Sequence, residues 1–161
     1  MNKKLISKLA HIAIPPAYLA GLFDGEGNIT IAKTGKYERS TLRVSVTNTN
    51  RDVLIMINKA YGGRLNNNTF KNRPKHHKIS FRLTWHESFA ADIILLMYPY
   101  LIIKAPQAKL ALDFWHLHAT LPKSLRCKLL NGHWVRTAKT KLRDKQYKQK
   151  MTKLNRRGVK L

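Results

Sequence analysis

The sequence predicts an α+β fold, in which a four-stranded antiparallel sheet is backed by helices. Helical and strand periodicities follow one another in the order helix, strand pair, helix, strand pair, helices. A short polar loop joins the two strands of each pair, as in a hairpin. The chain has 161 residues, 43% of them hydrophobic, which suffices for one core and is too little for two. We therefore expect a single domain over residues 1–161, with a basic C-terminal extension of that domain from about residue 133.

The first helix is predicted over residues 16–25. Two prolines suit its first turn, where a missing N–H costs nothing, and two glycines end it. Small residues recur every four positions along one face: Ala17, Gly21 and Gly25. Such a stripe lets another backbone approach closely, so close helix packing is expected.

The period then changes to two, which predicts strands with one apolar and one wet face. The apolar positions of the first pair are Ile29, Ile31, Leu42, Val44 and Val46, and those of the last strand are Ile79, Phe81 and Leu83. Between the pairs, residues 51–61 form a helix that Asn50 caps. Further helices are expected from residue 86 to Pro99, over 105–121, and in a short segment ending at Gly132, followed by a basic surface helix.

The charge points to a polyanionic partner. Thirty-one Lys and Arg stand against eight Asp and Glu, a formal net charge of +23. Such an excess attracts nucleic acid through counterion release. No stretch has the roughly 20 apolar residues needed to span a bilayer, and we expect no membrane partner. A single cysteine, Cys127, excludes an internal disulfide and a cysteine-based zinc site.

Two acids, Asp24 and Glu26, lie between glycines at the end of the first helix. The segment is not an EF-hand loop, because Ile29 and Gly35 occupy the positions of its glycine and its glutamate. It lacks the third glycine of a dinucleotide fingerprint. One interpretation is a polar helix stop with a glycine at positive φ. The other is a divalent-cation site, since carboxylates beside a cationic surface would otherwise repel phosphate.

The segment Leu19–Gly27, LAGLFDGEG, resembles the signature of the LAGLIDADG homing endonucleases. Three positions differ from that signature: Phe23, Gly25 and Glu26. The resemblance extends to the order of elements over most of the chain. It implies a DNA-binding saddle-shaped sheet and, since only one motif is present, a homodimer with the motif helix at its interface.

The resemblance also implies roles for single residues. Glu26 would bind a divalent metal, Mg²⁺ or another such as Mn²⁺, with the Gly25 carbonyl as second ligand, while Asp24 would cap the partner helix. Ala17 and Gly21 would lie at the dimer interface. Two further catalytic positions are Lys104, near the scissile phosphate and followed by Gln107, and Asn48, where relatives carry a water-ordering glutamine one methylene longer. Arg51 is a weaker candidate.

The wet face of the sheet is the predicted DNA-reading surface, because its side chains can pair with base edges in the major groove. The base-contact set is Asn28, Thr30, Arg39, Thr41, Arg43, Ser45, Arg64, Asn66, Asn68, Lys78, Ser80 and Arg82. Loop residues assigned to phosphates are Tyr37, Lys71, Arg73 and Lys75.

The function implied by the resemblance is a site-specific homing endonuclease. Such an enzyme makes a staggered double-strand cut in a long, near-palindromic DNA target by metal-assisted phosphodiester hydrolysis. Two alternatives use the same fold: an intron-encoded maturase, whose partner is RNA, and a DNA-binding repressor that does not cut. An organellar location, mitochondrion or chloroplast, is a family expectation only.

Overall fold

The predicted sheet and helices are present in the computed structural model, which describes residues 14–34, 39–68, 78–120, 126–128 and 134–156. The helices are α1 (Pro16–Glu26), α2 (Arg51–Tyr61), α3 (Glu87–Met97), α4 (Ala105–Ala119) and α5 (Ala138–Leu154), with a 3₁₀ turn at Tyr98–Tyr100. The strands are β1 (Gly27–Thr34), β2 (Arg39–Asn48), β3 (Arg64–Asn67), β4 (Phe81–His86), β5 (Arg126–Lys128) and β6 (Trp134–Arg136).

The main sheet is antiparallel throughout, with the strand order β1-β2-β4-β3. Gly27 pairs with Val46, and Val46 pairs in turn with Leu83, so one apolar row crosses three strands. Val46 and Leu83 of this row are fully buried, as are Ile29 and Val44 on the same face. The predicted fold class, an α+β arrangement around four antiparallel strands, is confirmed.

The end of α1 depends on space rather than on an unusual backbone angle. Gly27 follows the helix with φ −76° and ψ 158°, which is extended backbone, so the predicted glycine at positive φ is wrong for this residue. A Cβ at Gly27 would lie 2.6 Å from the Phe23 carbonyl oxygen and closer still to the Phe23 ring. Only glycine therefore lets β1 leave the helix directly, and α1 ends one residue later than expected.

Helix α2 has the predicted bounds and cap. The Asn50 side chain accepts hydrogen bonds from the backbone N–H groups of Asp52 and Val53, at 3.1 and 3.3 Å. At the other end, Gly62 has φ 63°, a left-handed conformation that glycine adopts without strain. The buried Tyr61 hydroxyl donates to the Ile14 carbonyl, which ties the start of α1 to α2.

The C-terminal helix α5 packs against α4 and β1. Its buried residues, Thr140, Asp144 and Met151, follow helical spacing along one face. The Gln107 amide donates to the Leu154 carbonyl at 3.0 Å. The Asn155 amide donates to the Ile29 carbonyl at 2.9 Å, so the end of α5 lies against β1.

Two expectations of local structure are wrong. Part of the short helix expected to end at Gly132 is strand β5, because Cys127 pairs with Val135 of β6. A hairpin ladder there overrides the local helical pattern. Ile79, expected on the apolar face, precedes β4 and is 48% exposed.

Candidate nucleic-acid interface and catalytic site

One face of the main sheet is polar and cationic, as the period-two pattern predicts. Cross-strand pairs on it join Thr30 to Arg43, Arg43 to His86 and Asn66 to Arg82. Arg82 also donates from Nε to the Thr47 hydroxyl at 3.2 Å. These contacts hold long cationic side chains side by side on a rigid surface, which is the arrangement that direct reading of base edges requires.

A groove of about 300 Å³ runs across this face. Its lining consists of cationic, amide and hydroxyl side chains: Arg43, Arg64, Asn66, Asn67, Asn68, Arg82, Thr84 and His86. Asn67, Thr84 and His86 were not predicted. Thr84 and His86 continue the alternation of Ser80 and Arg82, so extending the predicted strand by three residues beyond Leu83 would have found both.

The remaining members of the predicted contact set differ in exposure. Asn28, Arg64 and Lys78 are exposed, and Thr30 and Ser80 are half-buried. Thr41 and Ser45 lie on the same face but keep only 7% and 6% of their surface, so the expectation that these hydroxyls are wet is wrong. Both belong to β2, where Thr41 pairs with Ala32 of β1 and Ser45 lies between Asn28 of β1 and Thr84 of β4.

Five residues predicted to contact DNA lie in the hairpin loops or at their edges. Arg39 begins β2, and Tyr37, Lys71, Arg73 and Lys75 lie outside the described residues. The Asn68 N–H donates to the Ser80 carbonyl at 2.8 Å, so pairing of the second hairpin continues beyond β3 toward its loop.

The predicted metal ligands lie where α1 meets β1. Gly25 and Glu26 are both exposed, and Gly27 begins β1 immediately after them. A carboxylate and a backbone carbonyl are hard oxygen donors of the kind that Mg²⁺ prefers. Among the residues that the structure describes, no group of three or more His, Cys, Asp or Glu side chains could hold a metal by itself. The donor set fits an ion that keeps waters and takes further oxygens from phosphate.

Asp24 is bound to a distant part of its own chain. Its Oδ2 accepts the Ile102 N–H at 2.8 Å and its Oδ1 accepts the Lys104 N–H at 2.9 Å. In return, Lys104 Nζ donates to the Asp24 backbone carbonyl at 2.6 Å. Asp24 therefore has a structural contact within the chain, and the capping of a partner helix stays a prediction.

The position of Lys104 affects its ionisation. Burial lowers the pKa of the Lys104 ammonium, while the negative charges of Asp24 and Glu26 act in the opposite direction and raise it. Lys104 thus feels the charge of both motif acids, and its predicted place near the scissile phosphate stays a prediction.

The other catalytic candidates have local partners. Asn48 ends β2, and its Oδ1 accepts the Asn50 N–H at 2.8 Å, so its oxygen is engaged in a turn. The Arg51 guanidinium lies 5.7 Å from the centre of the Phe81 ring, a cation–π distance. Gln107 is buried and faces the end of α5. Water ordering by Asn48 stays a prediction.

The small-residue stripe of α1 faces open space. Ala17, Gly21 and Gly25 are exposed, and a Cβ at either glycine would meet nothing within 4 Å. The described residues of the chain thus leave this face free for close approach by another helix.

An apolar patch lies next to this face and was not predicted. It consists of Tyr18 on α1 and, after α3, Tyr98, Tyr100, Ile102 and Ile103. Ile102 and Ile103 are 83% and 66% exposed, and the Asp24–Ile102 hydrogen bond places them beside α1. The apolar run 101–103 after Pro99 was the available signal.

The two histidines near the end of α4 have different surroundings. His116 is exposed, whereas His118 is buried and lies 2.8 Å, from Nε2 to Oδ1, from Asp144. The His118 ring also packs on Phe114. The His118–Asp144 contact joins α4 to α5, whereas the Phe114–His118 packing lies within α4. No helix within the described ranges is long and apolar enough to cross a bilayer.

Comparison with solved structures shows which fold this is. I-CvuI, a homing endonuclease in complex with its target in the presence of calcium, has 18% identity and a TM-score of 0.63, covering 91% of this chain and 85% of its own. The archaeal intron-encoded homing endonuclease I-Vdi141I, complexed with DNA, has 16% identity and a TM-score of 0.63, with 90% and 86% coverage.

A third similar structure has a longer chain. The LAGLIDADG homing endonuclease I-GzeII, in complex with a DNA target, has 19% identity and a TM-score of 0.64, covering 97% of this chain and 54% of its own. Neither a protein-family model nor a curated protein sequence matches the chain. At these identities the likeness establishes the architecture, and the chain has the fold of the LAGLIDADG homing endonucleases.

Proposed function

We propose that the protein is a site-specific DNA endonuclease of the homing type. As a homodimer, it binds a long, near-palindromic duplex and makes a staggered double-strand cut by metal-assisted hydrolysis. The observation that carries the proposal is the position of Glu26. Its exposed carboxylate is on the last residue of α1, immediately before β1, an edge strand of the sheet that carries the cationic face.

Double-stranded DNA is the partner that the surface favours. The groove on the sheet is lined by three arginines, three asparagines and a histidine, which can donate to phosphates and base edges. The net charge of +23 supplies the sequence-independent attraction. The similar structures named above are complexes with DNA.

Glu26 and the Gly25 carbonyl are the groups that would hold the metal. When bound, Mg²⁺ supplies Lewis-acid activation of water and neutralises phosphate charge. The chain's own contribution is to keep Glu26 at the end of a rigid helix and to place a second positive charge, the Lys104 ammonium, on the last turn of that helix. A cation fixed there stabilises the charge that develops on the phosphate.

A homodimer follows from the free face of α1 and the apolar patch beside it. The glycines allow two α1 helices to touch, and the exposed isoleucines at 102 and 103 would be covered by the second copy. Two such chains would bring two copies of Glu26 near the twofold axis, one for each DNA strand.

The test is Glu26→Gln, assayed on a target selected from a randomised, near-palindromic DNA library. We expect cleavage in Mg²⁺ or Mn²⁺ to fall by at least about 10³-fold, because one carboxylate of the metal site is lost. Binding to the same DNA should persist. Asp113→Asn, an exposed acid on α4, is the control and should cut normally. Cleavage by the Glu26→Gln variant at the wild-type rate would show that the assignment is wrong.

A further inference from the structure

The two-way contact between Asp24 and Lys104 joins two helix ends that are far apart in sequence. Asp24 lies in the last turn of α1, and Lys104 is the N-cap residue of α4. Lys104 makes no side-chain cap of its own helix. The Asp24 carboxylate lies instead at that N-terminus, where the helix dipole favours negative charge.

The Lys104 ammonium lies at a helix C-terminus, that of α1. The last carbonyls of a helix have no intrahelical partner, and cations are favoured beside them. Donation from Nζ to the Asp24 carbonyl at 2.6 Å satisfies one such group. Three hydrogen bonds among Asp24, Ile102 and Lys104 thus join the C-terminus of α1 to the N-terminus of α4.

We propose that Asp24 is a positioning residue, which fixes the 102–104 segment so that the Lys104 ammonium is held on the last turn of α1, the turn that ends in Glu26. This inference rests on the proposed endonuclease function. Asp24 then influences cleavage through Lys104 and touches neither DNA nor metal.

The chemistry of the two side chains explains why a carboxylate is needed at position 24. A lysine side chain has a flexible chain of four carbons, so it loses considerable rotamer freedom when its ammonium is held in one place. The two carboxylate oxygens of Asp24 accept the N–H groups of Ile102 and Lys104, and so they fix the backbone that carries the lysine side chain. An asparagine offers one acceptor, and its amide nitrogen would face the other backbone N–H, donor against donor.

The first experiment is a double-mutant cycle on the rate of cleavage, measured in a single turnover at saturating DNA and metal. Lys104→Met should slow cleavage by about 10²-fold or more, the usual effect of removing one donor to a developing charge. Asp24→Asn should slow it at least about 10-fold, with DNA affinity changed less than about threefold. The Asp24→Asn, Lys104→Met double variant should be no slower than Lys104→Met alone.

The same single-turnover cleavage assay includes a control variant and can give a result that overturns the proposal. Asp113→Asn makes the same chemical change on an exposed part of α4 and should leave the rate unaltered. If the two losses multiply, Asp24 acts independently of Lys104 and the proposal is overturned. Should Asp24→Asn unfold at the assay temperature, Asp24→Glu replaces it, since it keeps both acceptor oxygens; its loss of rate must likewise vanish in the Lys104→Met background.

A second experiment needs no cleavage and no variant. Amide exchange by NMR on the wild-type chain should show the N–H groups of Ile102 and Lys104 protected at least about 10-fold more than that of Ile103. Within the described residues, the Ile103 N–H makes no hydrogen bond of its own. Equal exchange at all three would show that Asp24 does not hold the segment, whether or not the protein cuts DNA.

Discussion

Replacing Gly21 should have opposite effects on the folded chain and on the dimer. Gly21 lies inside α1, and a Cβ there would meet nothing within 4 Å in the isolated chain. Alanine is favoured over glycine in a helix interior by about 0.5–1 kcal/mol. For a chain of this length, Gly21→Ala should therefore raise the Tm of dilute monomer by about 2–3 °C.

The larger substitution Gly21→Leu should break the dimer. Forcing an extra side chain into a close-packed contact costs about 1–3 kcal/mol. In a twofold-symmetric dimer both copies carry the substitution at the interface, so the cost is incurred twice. The total, about 2–6 kcal/mol, corresponds to a dimer dissociation constant raised between about 30-fold and 10⁴-fold. Cleavage at low protein concentration should fall with it, because each copy contributes one Glu26.

Sedimentation equilibrium measures the dimer, and urea unfolding of the dilute chain measures the fold. Ala119→Leu is the control, because it places the same leucine side chain at an exposed position roughly 20 Å along α4 from Lys104. A Gly21→Leu protein that dimerises with the wild-type constant would refute the small-residue interface. So would a control that dissociates equally.

Three further predictions concern the helix end, a buried phenol and the DNA face. Gly27→Ala should destabilise the chain by at least about 2 kcal/mol in urea unfolding, since its Cβ would lie 2.6 Å from the Phe23 carbonyl, whereas Gly25→Ala should not. Burial raises the pKa of Tyr61 above its ordinary 10.0, so the stability it contributes is present below about pH 10 and is lost as the pH rises through the folded pKa. Tyr61→Phe should cost about 1 kcal/mol at neutral pH and lose less stability than wild type between about pH 8 and pH 11; equal losses would contradict this. Arg82→Ala should weaken specific DNA binding by about 1–3 kcal/mol in a titration at fixed salt, and an equal loss on all sequences would instead identify a phosphate contact.

The periodic parts of the fold could be predicted because burial alone determines them. Residues 51–61 form the predicted helix, and Leu42, Val44 and Val46 are fully buried as the alternation requires. The alternation of polar and apolar residues predicted exposure less reliably where side chains of neighbouring strands determine it. Thr41 and Ser45 lie on the expected face, yet adjacent strands cover them. The local pattern around Cys127 is helical, but pairing with Val135 makes it a strand.

The candidate site was found from a nine-residue motif, and its contacts were not. The sequence distinguishes Glu26 from Asp24 only through the resemblance. Hydrogen bonds across 78 and 80 residues show that Asp24 binds the start of α4 and that Lys104 returns to α1. No periodicity reports a contact of that sequence separation. The apolar patch of Ile102 and Ile103 was likewise visible only once its exposure was known.

The sequence by itself determined the charge, the order of elements, the alternation of the sheet and the glycine-flanked acids. These properties depend on composition and on nearest neighbours along the chain. Tertiary structure alone decided which acid is committed to hydrogen bonds, Asp24, and which is left exposed at the end of α1, Glu26. The physical reason is that a carboxylate's role depends on the donors brought to it, and here folding brings them from 78 and 80 residues along the chain.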